Sequence, residues 1–336
     1  MNKKILIRDL LILFSIVSSI FVITFLRPAP EQASKKIENI TVKLKWVHQA
    51  QFAGNYIAQK KGFYKDESLQ VNLVPFSFED PTIEAVAEGR ALIGISGADE
   101  LLLARSKGVP LRAFAVIFKT NPVAAYALKE SGITKPQDFI GKTVGLQRGT
   151  NVDLLYFAMM EKLGIDREKI NEVTIGYDAT ELLNGTTDVS TGYIINEPYE
   201  VIAAGREVNK ILMADYGVNM YADVLFATEE TIEKRPELVE GFLRATLKGW
   251  QYAIENEEEA IDITLTYAAD RTQSHETYLF TTSIPLIHTG DSPLGWMEEE
   301  EWDRIHDILL EQNILNKKMN SKDAYTMKFL KEIYIN

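Results

Sequence analysis

Within seven positions the chain carries an indole, an imidazole, a carboxamide and a phenyl ring, at Trp46, His48, Gln49 and Phe52. They fall where a strand gives way to a helix. Val42, Leu44 and Trp46 alternate with polar neighbours, and then Phe52, Ala53, Tyr56 and Ile57 take helical spacing. Open α/β sheets bind ligands at the carboxyl ends of their strands, so these side chains stand at the edge where binding is expected. His48 either caps the helix or hydrogen-bonds a ligand. Asp99, just past the Ser96-Gly97 turn, either caps a helix or lines a cleft. The turn Gly149-Thr150-Asn151 leads into another helix. It offers outward amides to a carboxylate, sulfonate or phosphate, or it is plain helix capping. Asn196 and Glu197 precede Pro198, which suits a first helical turn, and Tyr199 follows. With no cysteine in the chain there are no disulfides, thiolate metal sites or cysteine nucleophiles. His275, His288 and His306 are scattered without ligand spacing, so neither a metal nor a cofactor is expected.

The elements that would position these residues are legible as alternations. Residues 69–74 alternate as a second strand, 91–95 and 111–118 are near-continuous apolar strands, and helices at 81–88 and 97–107 end at Gly89 and Gly108. Repeated strand-helix alternation predicts a parallel α/β lobe. Strands are expected at 123–128, 143–146, 172–175, 188–195, 210–213 and 221–227, with helices at 152–163 and 179–184. From residue 229 onward the text is helical. The organisation that follows is a segment at 1–27, a linker at 28–39, a first lobe from 40–124 and 226–336, and a second lobe from 125–225. Two α/β lobes joined by two crossing strands describe a hinge with a cleft.

Lys3, Lys4 and Arg8 precede an apolar run at residues 10–26, long enough to reach across a bilayer. Basic residues ahead of the run place the remainder outside the cytoplasm. The run reads as an uncleaved anchor or as a signal peptide; no A-x-A pattern follows it. The formal charge is −12, and those first residues are net positive, so the exported part is more acidic still. That acidity argues against nucleic acid or anionic lipid as its partner.

The segments KLKWVHQAQFAGNYIAQKKGFYKDESLQV, GRALIGISGADELLLARSKGVPLRAFAVIF, SGITKPQDFIGKTVGLQRGT and GYIINEPYEV, in this order, resemble the thiamine-pyrimidine-synthase-like family of solute-binding proteins, related to the sulfonate and nitrate binders of ABC importers. The resemblance implies a type II periplasmic-binding-protein fold and a pyrimidine precursor of thiamine as ligand. It also implies that Trp46 stacks on the ring while Tyr193 and Glu197 hold its edge. An aminopyrimidine offers an NH₂ donor beside ring nitrogens, and a carboxylate accepts from that amine while an aromatic ring covers the face. His48, Phe52, Asp99, Thr150, Asn151, Asn196 and Tyr199 complete the expected site.

The same family contains an enzyme, the fungal pyrimidine synthase, which consumes its own histidine and a lysine-bound pyridoxal phosphate. At those positions this chain has Glu100 and Ser96, so no enzyme is expected. The expectation is an extracytoplasmic solute-binding protein that closes two lobes over a small heteroaromatic solute and delivers it to ABC permease and ATPase subunits. A sulfonate or nitrate binder, the synthase-like enzyme, and a sensing module acting through a partner protein are the alternatives.

Overall fold

The computed structural model of the chain describes residues 36–335. The expected membrane segment at residues 10–26 lies outside them, and among the described residues no helix is long and apolar enough to cross a membrane.

Two five-stranded sheets form the frame. The first holds β1 (Glu38–Lys43), β2 (Leu69–Val74), β3 (Ile93–Ser96), β4 (Leu111–Val116) and β10 (Val224–Thr228) in the order β2-β1-β3-β10-β4. The second holds β5 (Val123–Leu128), β6 (Thr143–Leu146), β7 (Asn171–Thr174), β8 (Val189–Tyr193) and β9 (Val208–Leu212) in the order β7-β6-β8-β5-β9. Helices α1 (Ala53–Lys60), α2 (Phe63–Asp66), α3 (Thr82–Ala87) and α4 (Ala98–Ser106) belong to the first lobe; α5 (Asn151–Lys162), α6 (Thr180–Leu183) and α7 (Glu197–Ala203) belong to the second. Then come α8 (Glu229–Lys234), α9 (Pro236–Glu255), α10 (Glu257–Leu265), α11 (Gln273–Ile287), α12 (Glu299–Glu311) and α13 (Lys328–Tyr334). They return to the first lobe: α9 and α10 pack on α1, α12 on α4 and α13 on β4.

The sheets are mixed rather than parallel, which corrects the reading of alternation alone. β1 runs parallel to β2 and β3, and β6 to β7 and β8, whereas β10 is antiparallel to β3 and β4, and β5 to β8 and β9. The reversed strands are the two by which the chain arrives from the other lobe. Val123 at the start of β5 pairs with Tyr193 at the end of β8, and Val224 at the start of β10 pairs with Ser96 at the end of β3. A chain entering at the carboxyl edge of parallel strands has to run against them. Both carboxyl edges therefore face the crossing.

The crossing segments bind each other directly. Ile117 N donates to Asp223 O at 2.7 Å, Ala222 N to Phe118 O at 3.1 Å, and the Asn219 side chain both accepts from Asn121 N and donates to Lys119 O. A two-segment hinge laced in this way bends without separating.

The longest C-terminal helix holds the first lobe by close approach. A Cβ at Gly249 of α9 would stand 2.1 Å from the Gly54 carbonyl oxygen, and one at Gly54 of α1 would stand 2.2 Å from the Trp250 ring. Backbone against backbone leaves no flexible atom to yield. Gly249→Ala should thus cost about 1–3 kcal/mol through overpacking, read as a lower denaturation midpoint. An unchanged midpoint would mean that α1 and α9 can slide apart freely.

Candidate functional site

β1 ends at Lys43, but the chain stays beside β2, with Leu44 N donating to Val74 O and Phe76 N to Trp46 O. Lys45 and Trp46 thereby leave the sheet at its carboxyl edge. The Lys45 ammonium donates to Ala222 O at 2.7 Å, lies 3.6 Å from Asp223 Oδ1 and sits 5.7 Å from the centre of the Tyr193 ring of the second lobe. Asp223 is buried and accepts twice from Gln51 Nε2, which in turn is fixed by Gln49. Asp99 closes the other side. Its carboxyl folds over Gly97, where a Cβ would meet Asp99 Oδ1 at 2.1 Å and come within 3.7 Å of Lys45 Nζ.

This is a cation held by several acids at the hinge. Burial alone would lower the Lys45 pKa, but Tyr193 and the Asp223, Glu100 and Asp99 carboxyls outweigh it, so the ammonium keeps its proton firmly. Asp99 is pushed up to about 6 by burial and by the neighbouring Glu100, against the pull of Lys45. Asp223 is raised by burial in the same way. With one cation facing three carboxyl groups, the surroundings favour a ligand that brings an amine over one that brings an anion.

The aromatic wall begins with Trp46. Phe76 stacks on it with ring centres 5.8 Å apart and planes 20° apart. Tyr177 of the second lobe stands over it at 5.8 Å and 51°.

On the second lobe, β8 delivers Tyr193 and the turn after it delivers Glu197. The Tyr193 hydroxyl is held by the Asn151 side chain at 2.9 Å. Glu197 is only 6% exposed; its Oε1 accepts from Gln147 Nε2 at 2.9 Å and its Oε2 from Tyr193 N at 2.8 Å. Gly192 makes room for it, since a Cβ there would lie 2.7 Å from the carboxyl carbon. Burial pushes Glu197 up to about 7, with Gln147 and the backbone donors resisting.

The expected site residues therefore divide. Trp46, Asp99, Asn151, Tyr193 and Glu197 come together around the facing carboxyl edges, with Asn196 at the start of α7 beside them. Thr150 is spent on capping: its hydroxyl accepts from Val152 N and donates to Gln147 O, while Gly149 N is bound by Asp153. Of that turn's three amides, Gly149 N is already taken by a carboxylate of its own chain. Phe52 is a core residue, 1% exposed, because its helical spacing with Tyr56 points it into the lobe. His48 bonds the Tyr56 hydroxyl at 3.0 Å and lies beside Tyr267, with its pKa lowered by burial. Tyr199 joins the lobes: its hydroxyl meets Ser274 Oγ at 2.6 Å and its ring stands edge-on to His275.

Sequence reasoning missed Lys45, Asp223 and Tyr177. Elsewhere, a depression of about 710 Å³ lies between α5 and α12. It is lined by charges such as Glu161, Lys162, Asp303, Arg304 and Asp307 and has no flat face to hold a ring.

A family model described as NMT1/THI5 like matches residues 49–260. The formylaminopyrimidine-binding protein of Halalkalibacterium halodurans is 26% identical over 93% of this chain and 98% of its own length. The riboflavin-binding protein RibY of Chloroflexus aurantiacus is 26% identical over 90% and 89%. The 4-amino-5-hydroxymethyl-2-methylpyrimidine phosphate synthase of Legionella pneumophila is 26% identical over 87% and 92%. Among solved structures, the periplasmic aliphatic sulphonate binding protein SsuA of Escherichia coli superposes with a TM-score of 0.67 at 16% identity, covering 85% of this chain and 91% of that one. The fold is that of the periplasmic binding proteins.

The raised Glu197 carboxyl has a consequence for stability. It keeps its proton in the fold after the unfolded chain has released its own, so its contribution is whole below about pH 4.5 and is lost as pH rises through about 7. In Glu197→Gln the oxygen still serves Tyr193 N and Gln147 can turn its own oxygen to the new amide. Denaturant titrations should show the unaltered protein losing stability across that window, with Glu197→Gln losing less by about 3 kcal/mol at pH 8. Identical pH dependence in the two proteins would mean that Glu197 is ionised within the fold.

Proposed function

This chain belongs to the NMT1/THI5-like family, and from that membership we propose that it is an extracytoplasmic solute-binding protein of an ABC importer. Its solute is a thiamine-related pyrimidine or a similar small heteroaromatic amine, and closure of the two lobes over it presents it to the permease and ATPase subunits. The reading is carried by one observation: the facing carboxyl edges bring Trp46 of one lobe against Tyr177 of the other, beside acids that outnumber the single cation. Trp46 stacks on the ring. Asp99 accepts from its exocyclic amine, and Tyr193 with Asn151 covers the edge. Glu197, already bonded twice, shapes the second wall by holding Tyr193 and Gln147 in place. A ligand that touches both walls favours the closed arrangement by its differential affinity for it.

The synthase reading has the Legionella relative in its favour, but the residues speak for binding. Ser96 is buried and donates its hydroxyl proton to Glu100, so neither offers an amine. Lys45 is close by, yet its acids keep it protonated, the opposite of what a Schiff-base lysine needs. A sulfonate would meet Asp99, Asp223 and Glu100 without a free cation to match them.

Calorimetry on the exported domain tests the proposal with 4-amino-5-hydroxymethyl-2-methylpyrimidine, riboflavin and an alkanesulfonate. An amine-bearing ring should bind and the sulfonate should not. Asp99→Asn should weaken the ring by about 1.5–3 kcal/mol, the range for a hydrogen bond to a charged group, and Glu197→Gln by much less. Heat from the sulfonate alone, or a pyridoxal phosphate adduct on Lys45, would overturn the assignment.

A further inference from the structure

Within its own lobe the Trp46 indole has Phe76 nearly parallel to it, and Phe76 in turn has Phe78 edge-on with ring centres 5.2 Å apart. Such stacking sets the plane of the indole. From the second lobe the ring that meets the indole is Tyr177, with ring centres 5.8 Å apart and planes 51° apart.

Tyr177 lies between β7 and α6, on the carboxyl edge of the second sheet. The segment is anchored on either side of it, by Ile175 N donating to Leu146 O and by Asp178 accepting from Thr180 N at 2.8 Å. The tyrosine itself is 53% exposed, and no hydrogen bond holds its hydroxyl among the described residues. An anchored loop thus presents a half-exposed ring to the indole across the cleft.

We propose that Tyr177 is the second jaw of an aromatic clamp, in which the ligand ring slides between Trp46 and Tyr177 and is stacked on both faces. The proposal rests on the solute-binding reading and sharpens it. The two jaws touch at a tilt of 51°, and admitting a ring means parting them by about one further contact distance, 3.5–4 Å, a movement that the hinge supplies. Two parallel jaws accept a flat sp² ring and exclude a tetrahedral sulfonate or a puckered saturated ring. The clamp is thus a filter for planarity, while Asp99 and its neighbours filter for the amine. Phe76 is a positioning residue, which sets the plane of the fixed jaw without touching the guest.

The test is calorimetry with 4-amino-5-hydroxymethyl-2-methylpyrimidine and riboflavin on the unaltered domain, Tyr177→Phe, Tyr177→Ala and Trp46→Ala, with quenching of indole emission as a second readout. Tyr177→Phe should bind within twofold of the unaltered domain, and Tyr177→Ala and Trp46→Ala should each lose tenfold or more. A saturated cyclic amine of similar size should not bind. Because Tyr177 is half in solvent, its substitution leaves the melting temperature in place, so lost binding is not lost fold. If Trp46→Ala weakens binding and Tyr177→Ala does not, the clamp is refuted while the binding site stands. If neither ring binds the unaltered domain, the clamp and the solute-binding reading fall together.

Discussion

A buried ammonium at the hinge is the constraint on which the rest of the site depends. Lys45 leaves the first sheet where the returning segment arrives, and it bonds the carbonyl of Ala222 and faces the carboxylate of Asp223. A charge taken out of water is tolerated only when paired and hydrogen-bonded, so the chain has to bring acids to this point. It does so from three directions: Asp223 from the hinge, Asp99 and Glu100 from the turn after β3, and the Tyr193 ring from the opposite lobe. The Gln49 and Gln51 side chains then hold Asp223 from the side of α1. One cation thus ties the hinge, the first lobe and the face of the second together.

The strand directions follow from the same junction. Because each lobe is entered from the other, β5 and β10 begin at the carboxyl edges of the strands they join. Residues far apart in the chain, Trp46, Asp99, Tyr177 and Tyr193, are thereby gathered without any long loop reaching across. The glycines beside them serve this gathering. Gly97 and Gly192 clear space for the Asp99 and Glu197 carboxyls, and a methyl group at either would collide with the acid it accommodates. The acids are raised in pKa because they are shielded in this way, and a shielded carboxyl distinguishes an amine from water more sharply than an exposed one does.

Much of this is legible in the order of the amino acids. Apolar alternation places the strands β2, β5 and β6 at their observed residues, because a strand buried on one or both faces writes its period into the side chains. The carboxyl ends of the strands point to Trp46, Asp99 and the turn at Asn196 and Glu197. Direction is not legible, since a period of two looks the same in either sense. Phe52 misleads for a related reason: at helical spacing with Tyr56, an aromatic belongs to the core face of its helix as readily as to a pocket. Lys45 and Asp223 escape notice because each is a charged residue within a strand pattern, where a charge ordinarily marks the solvent face. Tyr177 sits in a loop with no period at all. Only the fold brings it opposite Trp46.

The way the lobes meet completes the physical picture. Besides the cluster around Lys45, they meet through Tyr278, which donates its hydroxyl proton to Ile194 O at 2.7 Å and has the Lys210 ammonium over its ring, through Tyr199, which meets Ser274 at 2.6 Å, and through Gln312, which donates to the Glu161 carboxylate at 2.6 Å. Each neutral bond contributes about 0.5–1.5 kcal/mol net of the water it replaces, and one to a charged group about 1.5–3 kcal/mol. These contacts add to whatever the ligand contributes to closure. A much stronger latch would trap the solute, and none at all would leave closure wholly to the ligand. These contacts lie mainly on α11 and the end of α12, and the selective groups lie near the strand ends. The closing equilibrium and the choice of guest are therefore set by different residues, and one can change without the other.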